Sequence, residues 1–297
     1  MDITIIIVSY NVKEYIISCI DSIYKHSKSK IEFEIIVVDN NSKDGTFDAL
    51  REKFPKINLI KNENNIGFSK ACNQGAEQAK GKFLFFLNPD TLFIEDSISM
   101  LYFESKKIER FGVLGPMIIS ETGEKQQSYW LRPSLFSTII DIFQLNFLNR
   151  KKDYKNKKIE KTTAVDTISG CAFFVSKILF SQLKGFNNNL FWMEDIDFCV
   201  RSKKANYDVL FTPITKIIHY VGKSAEKNYK IAISNQLLSK IKYFRIHHQF
   251  LSAFLITFCV LIASIIKSVL LALFTPFSKV YRSKISGYLN TIKLILF

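Results

Sequence analysis

Four short apolar runs constrain this chain most. Ile3–Ser9, Glu34–Asp39, Ile57–Lys61 and Phe83–Leu87 are rich in β-branched and aromatic residues and read as strands. Runs this apolar are typical of strands buried on both faces. The segments between them read as helices. Ile16, Ile20 and Ile23 recur at helical spacing, a helix follows the dense turn cluster Asn40–Thr46 and ends before Pro55, and Phe68–Lys80 carries Ala71, Gly75, Ala76 and Ala79 on its packing surface. Alternating strands and helices predict an α/β fold with a mostly parallel central sheet and right-handed crossovers. In such sheets ligands sit beyond the carboxyl ends of the strands. Ser9–Asn11, Asp39–Asn41, Asn62–Gly67 and Asn88–Asp90 all fall at that edge.

A second feature concerns chemistry. The apolar stretch Phe191–Phe198 holds Glu194, Asp195 and Asp197 within four positions. A carboxylate buried without a partner is costly, so these acids imply a site for a metal, a proton or a hydroxyl. With Asp39 and Asp90 they make three acidic stations at the ends of apolar segments, the pattern of a nucleotide–metal site with a nearby general base.

The balance of 41 basic and 27 acidic residues, net +14, points to an anionic partner: nucleic acid, a phosphorylated substrate or an acidic lipid surface. The five cysteines are scattered without CxxC pairing, which fits neither a zinc site nor a disulfide framework and suits a reduced cytosolic setting. Met1-Asp2 leads directly into the first apolar run and reads as a strand, not a signal peptide.

The character changes after Gly115-Pro116. Ser120–Thr163, with a basic tract at Asn149–Lys161, reads as a mobile flap, a partner-facing insertion or a solvated loop. Order is expected again at Val165–Ser176, in a short helix Asp195–Lys204 and in a last strand from Thr212-Pro213 to His219. Domain limits are set at 1–240 for a catalytic domain and 241–297 for a basic and apolar helical membrane-association tail. The run Phe250–Phe274 is long enough to span a bilayer, but Lys267 would lie inside it and basic residues flank both ends. An interfacial or shallowly inserted helix accommodates this better, and a single span stays open.

Seven blocks in order resemble glycosyltransferase family 2, the inverting GT-A type. They are Val8–Asn11, Val38–Thr46, Asn64–Asn73, Leu87–Asp90, Ser169–Cys171, Met193–Asp197 and His219–Ser224, together covering roughly Ile3 to Ser224. The Asn-Pro-Asp and His-x-x-Gly-x-Ser blocks are similar to the rhamnosyltransferase-like branch. The resemblance implies a GT-A type nucleotide-binding sandwich. Asp39, ending a strand at the ligand edge, is assigned to the donor nucleotide; the alternative is a turn-capping aspartate. Ser9 and Asn11 line the same pocket, Gly67 permits close backbone approach, and Lys70 meets a diphosphate or base, or is a solvated helix lysine. Asp90 matches the family's metal-binding aspartate and His219 a position that faces the metal or diphosphate, implying Mg²⁺ or Mn²⁺. Asn88 stands where the usual Asp-x-Asp has its first acid, leaving one fewer negative ligand. Asp195 matches the catalytic base, Glu194 is the second choice, and Asp197 is expected to be structural because residues two apart share no helix face. Trp192 is read as stacking on a sugar or packing in the core, and Arg201 as pairing with a phosphate or with Asp197.

No P-loop, GxSxG, HExxH or nucleic-acid-binding motif accompanies these blocks. The expected activity is transfer of a sugar, rhamnose or another hexose, from a nucleoside-diphosphate donor to a lipid-linked or polysaccharide acceptor. The expected place is the cytoplasmic face of the cell membrane, with no nucleic acid as partner. A non-catalytic sugar-nucleotide-binding or scaffold protein is the alternative, motivated by Asn88.

Overall fold

The computed structural model describes residues 1–27, 31–145, 159–220, 229–273 and 278–297. In chain order the elements are β1 (Ile3–Ser9), α1 (Lys13–His26), β2 (Phe33–Asp39), α2 (Thr46–Lys53), β3 (Asn58–Lys61), α3 (Phe68–Gln78), β4 (Phe83–Leu87), β5 (Thr91–Phe93), α4 (Ser97–Ser105) and β6 (Phe111–Ile119). There follow β7 (Tyr129–Trp130), α5 (Leu135–Ile142), β8 (Thr163–Ala164), β9 (Thr167–Ile168), β10 (Ala172–Ser176), α6 (Lys177–Gln182), α7 (Glu194–Lys204), β11 (Asp208–His219), α8 (Tyr229–His247), α9 (Phe250–Ala272) and α10 (Lys279–Leu296).

The central sheet runs β3-β2-β1-β4-β10-β6-β11-β5, with β8 beside β11. Pairings among β1, β2, β3 and β4 are parallel. β10 enters antiparallel between β4 and β6, and β6 and β11 are parallel to each other. β4, β6 and β11 therefore point the same way, and the start of β10 meets their carboxyl ends. The two faces bury separate clusters: Ile5, Ile7, Ile16, Ile20 and Phe85 on one, Ile6, Val38, Ala71, Phe86 and Phe173 on the other. The small residues of α3 allow its close approach, since a Cβ at Gly75 would lie 2.7 Å from Ile6 Cγ2.

The break in character expected after Gly115-Pro116 lies inside a strand. β6 runs through both residues and is buried along its length. Its pairing with β10 covers only Val113 and Leu114, so at Pro116 β11 is its paired neighbour and the missing N–H leaves no gap in a second ladder. Gly115 is required by packing: a Cβ there would lie 2.3 Å from Ile168 Cγ2. The segment read as a flap contains β7 and α5, the latter opened by a Ser134–Ser137 capping box; its positions 146–158, which include most of the basic tract, lie outside the described residues. β11 starts earlier than expected, at Asp208, and its register shifts between Thr212 and Lys216, around Pro213.

The chain divides into two compact units: Met1–Arg132, Tyr154–Asn188 and Glu194–Ser224 form one, and Pro133–Asp153, Asn189–Met193 and Ala225–Phe297 the other. Within the second, α9 packs on α5, α8 and α10. Among the described residues α9 is the one helix long and apolar enough to cross a membrane. It buries Ala253, Ile256, Val260 and Ala263 and exposes a stripe at Leu251, Phe254, Phe258, Ile265, Val269 and Leu273. Lys267, the charge inside the run, turns onto protein: its Nζ donates to the Ile142 carbonyl at 2.9 Å and lies 5.6 Å from the Tyr288 ring. α8 and α10 meet at Gly287, whose carbonyl accepts from Ser234 Oγ at 2.9 Å.

Candidate active site

Strand register brings the site together. Ser9 pairs with Asp39, Ile7 with Leu87, Leu87 with Ala172, and His219 with Thr91, so each strand delivers its terminal residue to one edge. Asp39 is fully buried there. Its Oδ1 accepts from Ser9 Oγ at 2.8 Å and Ser42 Oγ at 2.5 Å, and its Oδ2 from the Ser42 amide at 3.0 Å. Asn11, at φ +56°, accepts the Lys43 amide at 2.7 Å and donates its own to Ser42 Oγ. Ser42 lies in the turn cluster but has no role in the sequence reading; here it ties the ends of β1 and β2 together. Asx turns that cap strand ends are the signal that points to such a serine.

The loop before α3 is held by a relay. Gln74 donates to Asn62, Asn62 to Asn40 at 2.9 Å, and Asn40 to the Gly67 carbonyl. Gly67 has φ +88° and ψ 165°, a region open essentially to glycine alone. Lys70 is exposed on the first turn of α3.

Asp90 is 4% exposed, and its Oδ1 lies 3.3 Å from His219 Nε2; Asn88 Nδ2 lies 3.4 Å from the same nitrogen. Two hydrogen bonds to the main chain fix this group: the Tyr220 amide donates to the Asp90 carbonyl, and the Gln126 side-chain Nε2 donates to the His219 carbonyl at 3.0 Å. Gly222 and Ser224 of the last block lie outside the described residues. No three His, Cys, Asp or Glu side chains converge as a metal cluster among the described residues. Asp90 and His219 nonetheless suit a hard divalent ion that takes its other ligands from phosphate and water, the usual manner of Mg²⁺. The neighbouring thiols do not compete. Burial pushes Cys19 and Cys171 up to about 12, and the Asp90 charge adds to the rise in both.

α7 starts at Glu194, and its first turn holds the three acids. Asp195 is partly buried. Its Oδ2 accepts the Gly170 amide at 2.7 Å and its Oδ1 the Ile196 amide at 2.7 Å. Desolvation outweighs these bonds and raises its pKa from the ordinary 3.8 to about 6. Cys171 feels both Asp195 and Asp90, which places the two carboxylates on one edge, linked by the Asn88 amide donating to the Cys171 carbonyl. Glu194 is buried and its charge is felt at Cys72 on α3. Asp197 is fully buried and pairs with Arg201 at 2.7 Å, while Arg201 also donates to the Leu183 and Gly185 carbonyls. Asp197 is thus structural, and Arg201 is spent on it. Trp192 is 45% exposed at φ +88° in the segment Asn189–Met193 of the second unit.

An edge that carries the Asp90–His219 pair and the raised Asp195 carboxylate finds its match in sequence. The model of glycosyl transferase family 2 matches residues 4–180. The chain belongs to this family. It is 26% identical over 210 residues, 65% of its length and 68% of the relative's, to the N-acetylglucosaminyl-diphospho-decaprenol L-rhamnosyltransferase of Mycobacterium tuberculosis. It is 27% identical over 199 residues, 61% of its length and 78% of the relative's, to the UDP-Glc:alpha-D-GlcNAc-diphosphoundecaprenol beta-1,3-glucosyltransferase WfgD of Escherichia coli. In fold it is similar to the mannosyltransferase PcManGT of Pyrobaculum calidifontis, solved with GDP-Man and Mn²⁺ (TM-score 0.60, 18% identity, 99% of this chain and 86% of that one). S. aureus TarS is also similar (TM-score 0.55, 18% identity, 86% of this chain), and the match spans only 42% of TarS. The family 2 chain thus has a mixed α/β, GT-A-like fold with an apolar C-terminal helix.

Proposed function

We propose that this family 2 enzyme transfers a hexose, rhamnose or another, from a nucleoside-diphosphate donor to a lipid-linked or polysaccharide acceptor with inversion at the anomeric carbon. The observation that carries this is Asp195: a carboxylate gripped by two backbone amides, raised to about 6, on the same edge as Asp90 and His219. A base of that affinity is ionised near neutral pH yet still takes a proton readily. The acceptor hydroxyl attacks the anomeric carbon and gives its proton to Asp195 as the bond to the diphosphate oxygen breaks on the opposite face. Asp90 and His219 would hold a divalent ion, Mg²⁺ or Mn²⁺, which when bound would neutralise charge on the departing diphosphate. Asp39, Ser9, Asn11, Gly67 and Lys70 form the nucleotide end of the site, and Trp192 contacts the acceptor sugar. Binding of a ribose or base to Asp39 displaces the Ser42 hydroxyl that now occupies it. The names of the two relatives support a lipid-diphosphate acceptor.

The second unit supports attachment at a membrane surface, on the cytoplasmic side where nucleotide sugars are available. α9 presents one apolar stripe, while α10, packed against it, carries Lys279, Arg282, Lys284 and Lys293. A helix pair with charge along one member lies in the headgroup layer more cheaply than across hydrocarbon. The decisive experiment incubates the purified chain with sugar nucleotides, Mn²⁺ and a prenyl-diphosphate N-acetylglucosamine. Release of nucleoside diphosphate with a glycosylated lipid is expected. Donor binding without turnover supports instead the non-catalytic reading that Asn88 motivates.

A further inference from the structure

α8 reaches the chain immediately before the catalytic helix. The Phe191 amide donates to Ser239 Oγ at 3.1 Å, and the Ser239 hydroxyl donates back to the Phe191 carbonyl. One turn on, Lys242 Nζ donates to the Asn189 carbonyl at 3.0 Å. Residues three apart share a helix face, so α8 grips the main chain at two points two residues apart. Ser239 is 2% exposed, shielded from water that would compete for both bonds. The next residue, Trp192, has φ +88°, a backbone region that bulky L-residues avoid and keep only where their surroundings impose it. Met193 then leads directly into Glu194 and Asp195.

We propose that Ser239 is a positioning residue: by clasping Phe191 it imposes the strained Trp192 conformation and so sets how the acceptor is received. The inference rests on the reading of Trp192 as the acceptor contact. The residues read as the donor end, Ser9, Asn11, Asp39, Gly67 and Lys70, lie outside the stretch that the clasp holds, so its loss is expected to act on the acceptor rather than the donor. Ser239, Phe191 and Trp192 belong to the same unit as α9 and α10.

The test uses the full chain with Trp130→Phe, which leaves Trp192 as the single tryptophan. Ser239→Ala is expected to shift Trp192 emission and raise its quenching by acrylamide. With the prenyl-diphosphate N-acetylglucosamine probe it is expected to raise the acceptor KM about tenfold while the donor KM stays within about twofold. Ser239→Thr, which keeps the hydroxyl, restores both; should its methyl not fit, Lys242→Met at an exposed position gives the same split. Unchanged emission and acceptor KM in Ser239→Ala overturns the proposal, as does an equal rise in donor and acceptor KM. Failure of the transferase reading is distinct: the parent chain would then bind donor without turnover, while Trp192 emission still reports the clasp.

Discussion

Asp195→Asn separates catalysis from stability, and the structure gives the size of both effects. Asparagine offers one carbonyl oxygen where the carboxylate offers two, so either the Gly170 or the Ile196 amide loses its acceptor. An abandoned buried donor costs about 1–3 kcal/mol. Against this, the ionised carboxylate is itself unfavourable in the fold. Its pKa rises from 3.8 to about 6, which at about 1.4 kcal/mol per pH unit destabilises the native state by about 3 kcal/mol once the group is ionised. The sign follows from proton binding: the folded form holds the proton more tightly, so this penalty is absent below about pH 4, grows as pH rises to about 6, and is constant above. The variant should therefore be less stable than the parent at pH 4 and roughly equal at pH 8. Turnover, by contrast, should fall about 10²–10⁴-fold, the usual worth of a positioned base. Thermal melts at the two pH values and initial rates at pH 8 measure both. A stability difference that does not change with pH, or near-normal turnover, refutes the reasoning.

Other outcomes follow from the same geometry. kcat/KM for the acceptor should rise tenfold per pH unit up to about pH 6 and level off above it, as the free Asp195 loses its proton; a flat profile from pH 5 to 8 removes it as the base. Gly170→Ala places a Cβ 3.2 Å from Asp195 Oδ2, and the resulting displacement should lower kcat about tenfold with little change in melting temperature. Asp197→Ala leaves Arg201 without its buried counter-charge and should cost about 3–5 kcal/mol, read by chemical denaturation. Phe254→Asp with Phe258→Asp, both on the exposed stripe of α9, should release the protein from lipid vesicles in flotation assays.

The first ninety residues were the most legible part of the fold. β1 and β4 have the limits that their apolar runs indicate, because a strand buried on both faces writes its burial into every residue. β6 hid behind Gly112, Gly115 and Pro116, residues that mark turns in isolation but here answer in turn to the Asp208 carbonyl, to Ile168 and to a one-sided ladder. β5, only three residues long, carries no periodicity to read. Lys267 looked like an obstacle to spanning a bilayer, and sequence cannot show that the end of α5 supplies it with a partner in the protein. At the site, residue types and order were visible, but Ser42 over Asp39 and the Gly170 amide under Asp195 were not. Contacts made by a main chain, or by a serine among many, leave little trace in composition.

Asp195 owes its orientation to amides, which temper the rise that burial imposes on its proton affinity, and amides are common to every residue but one. Drift in the side chains around it cannot delete either donor; a proline at 170 or 196 is the single kind of replacement that would. The setting of this group is thus inherited with the path of the backbone, and relatives that share few identical residues can keep it unaltered.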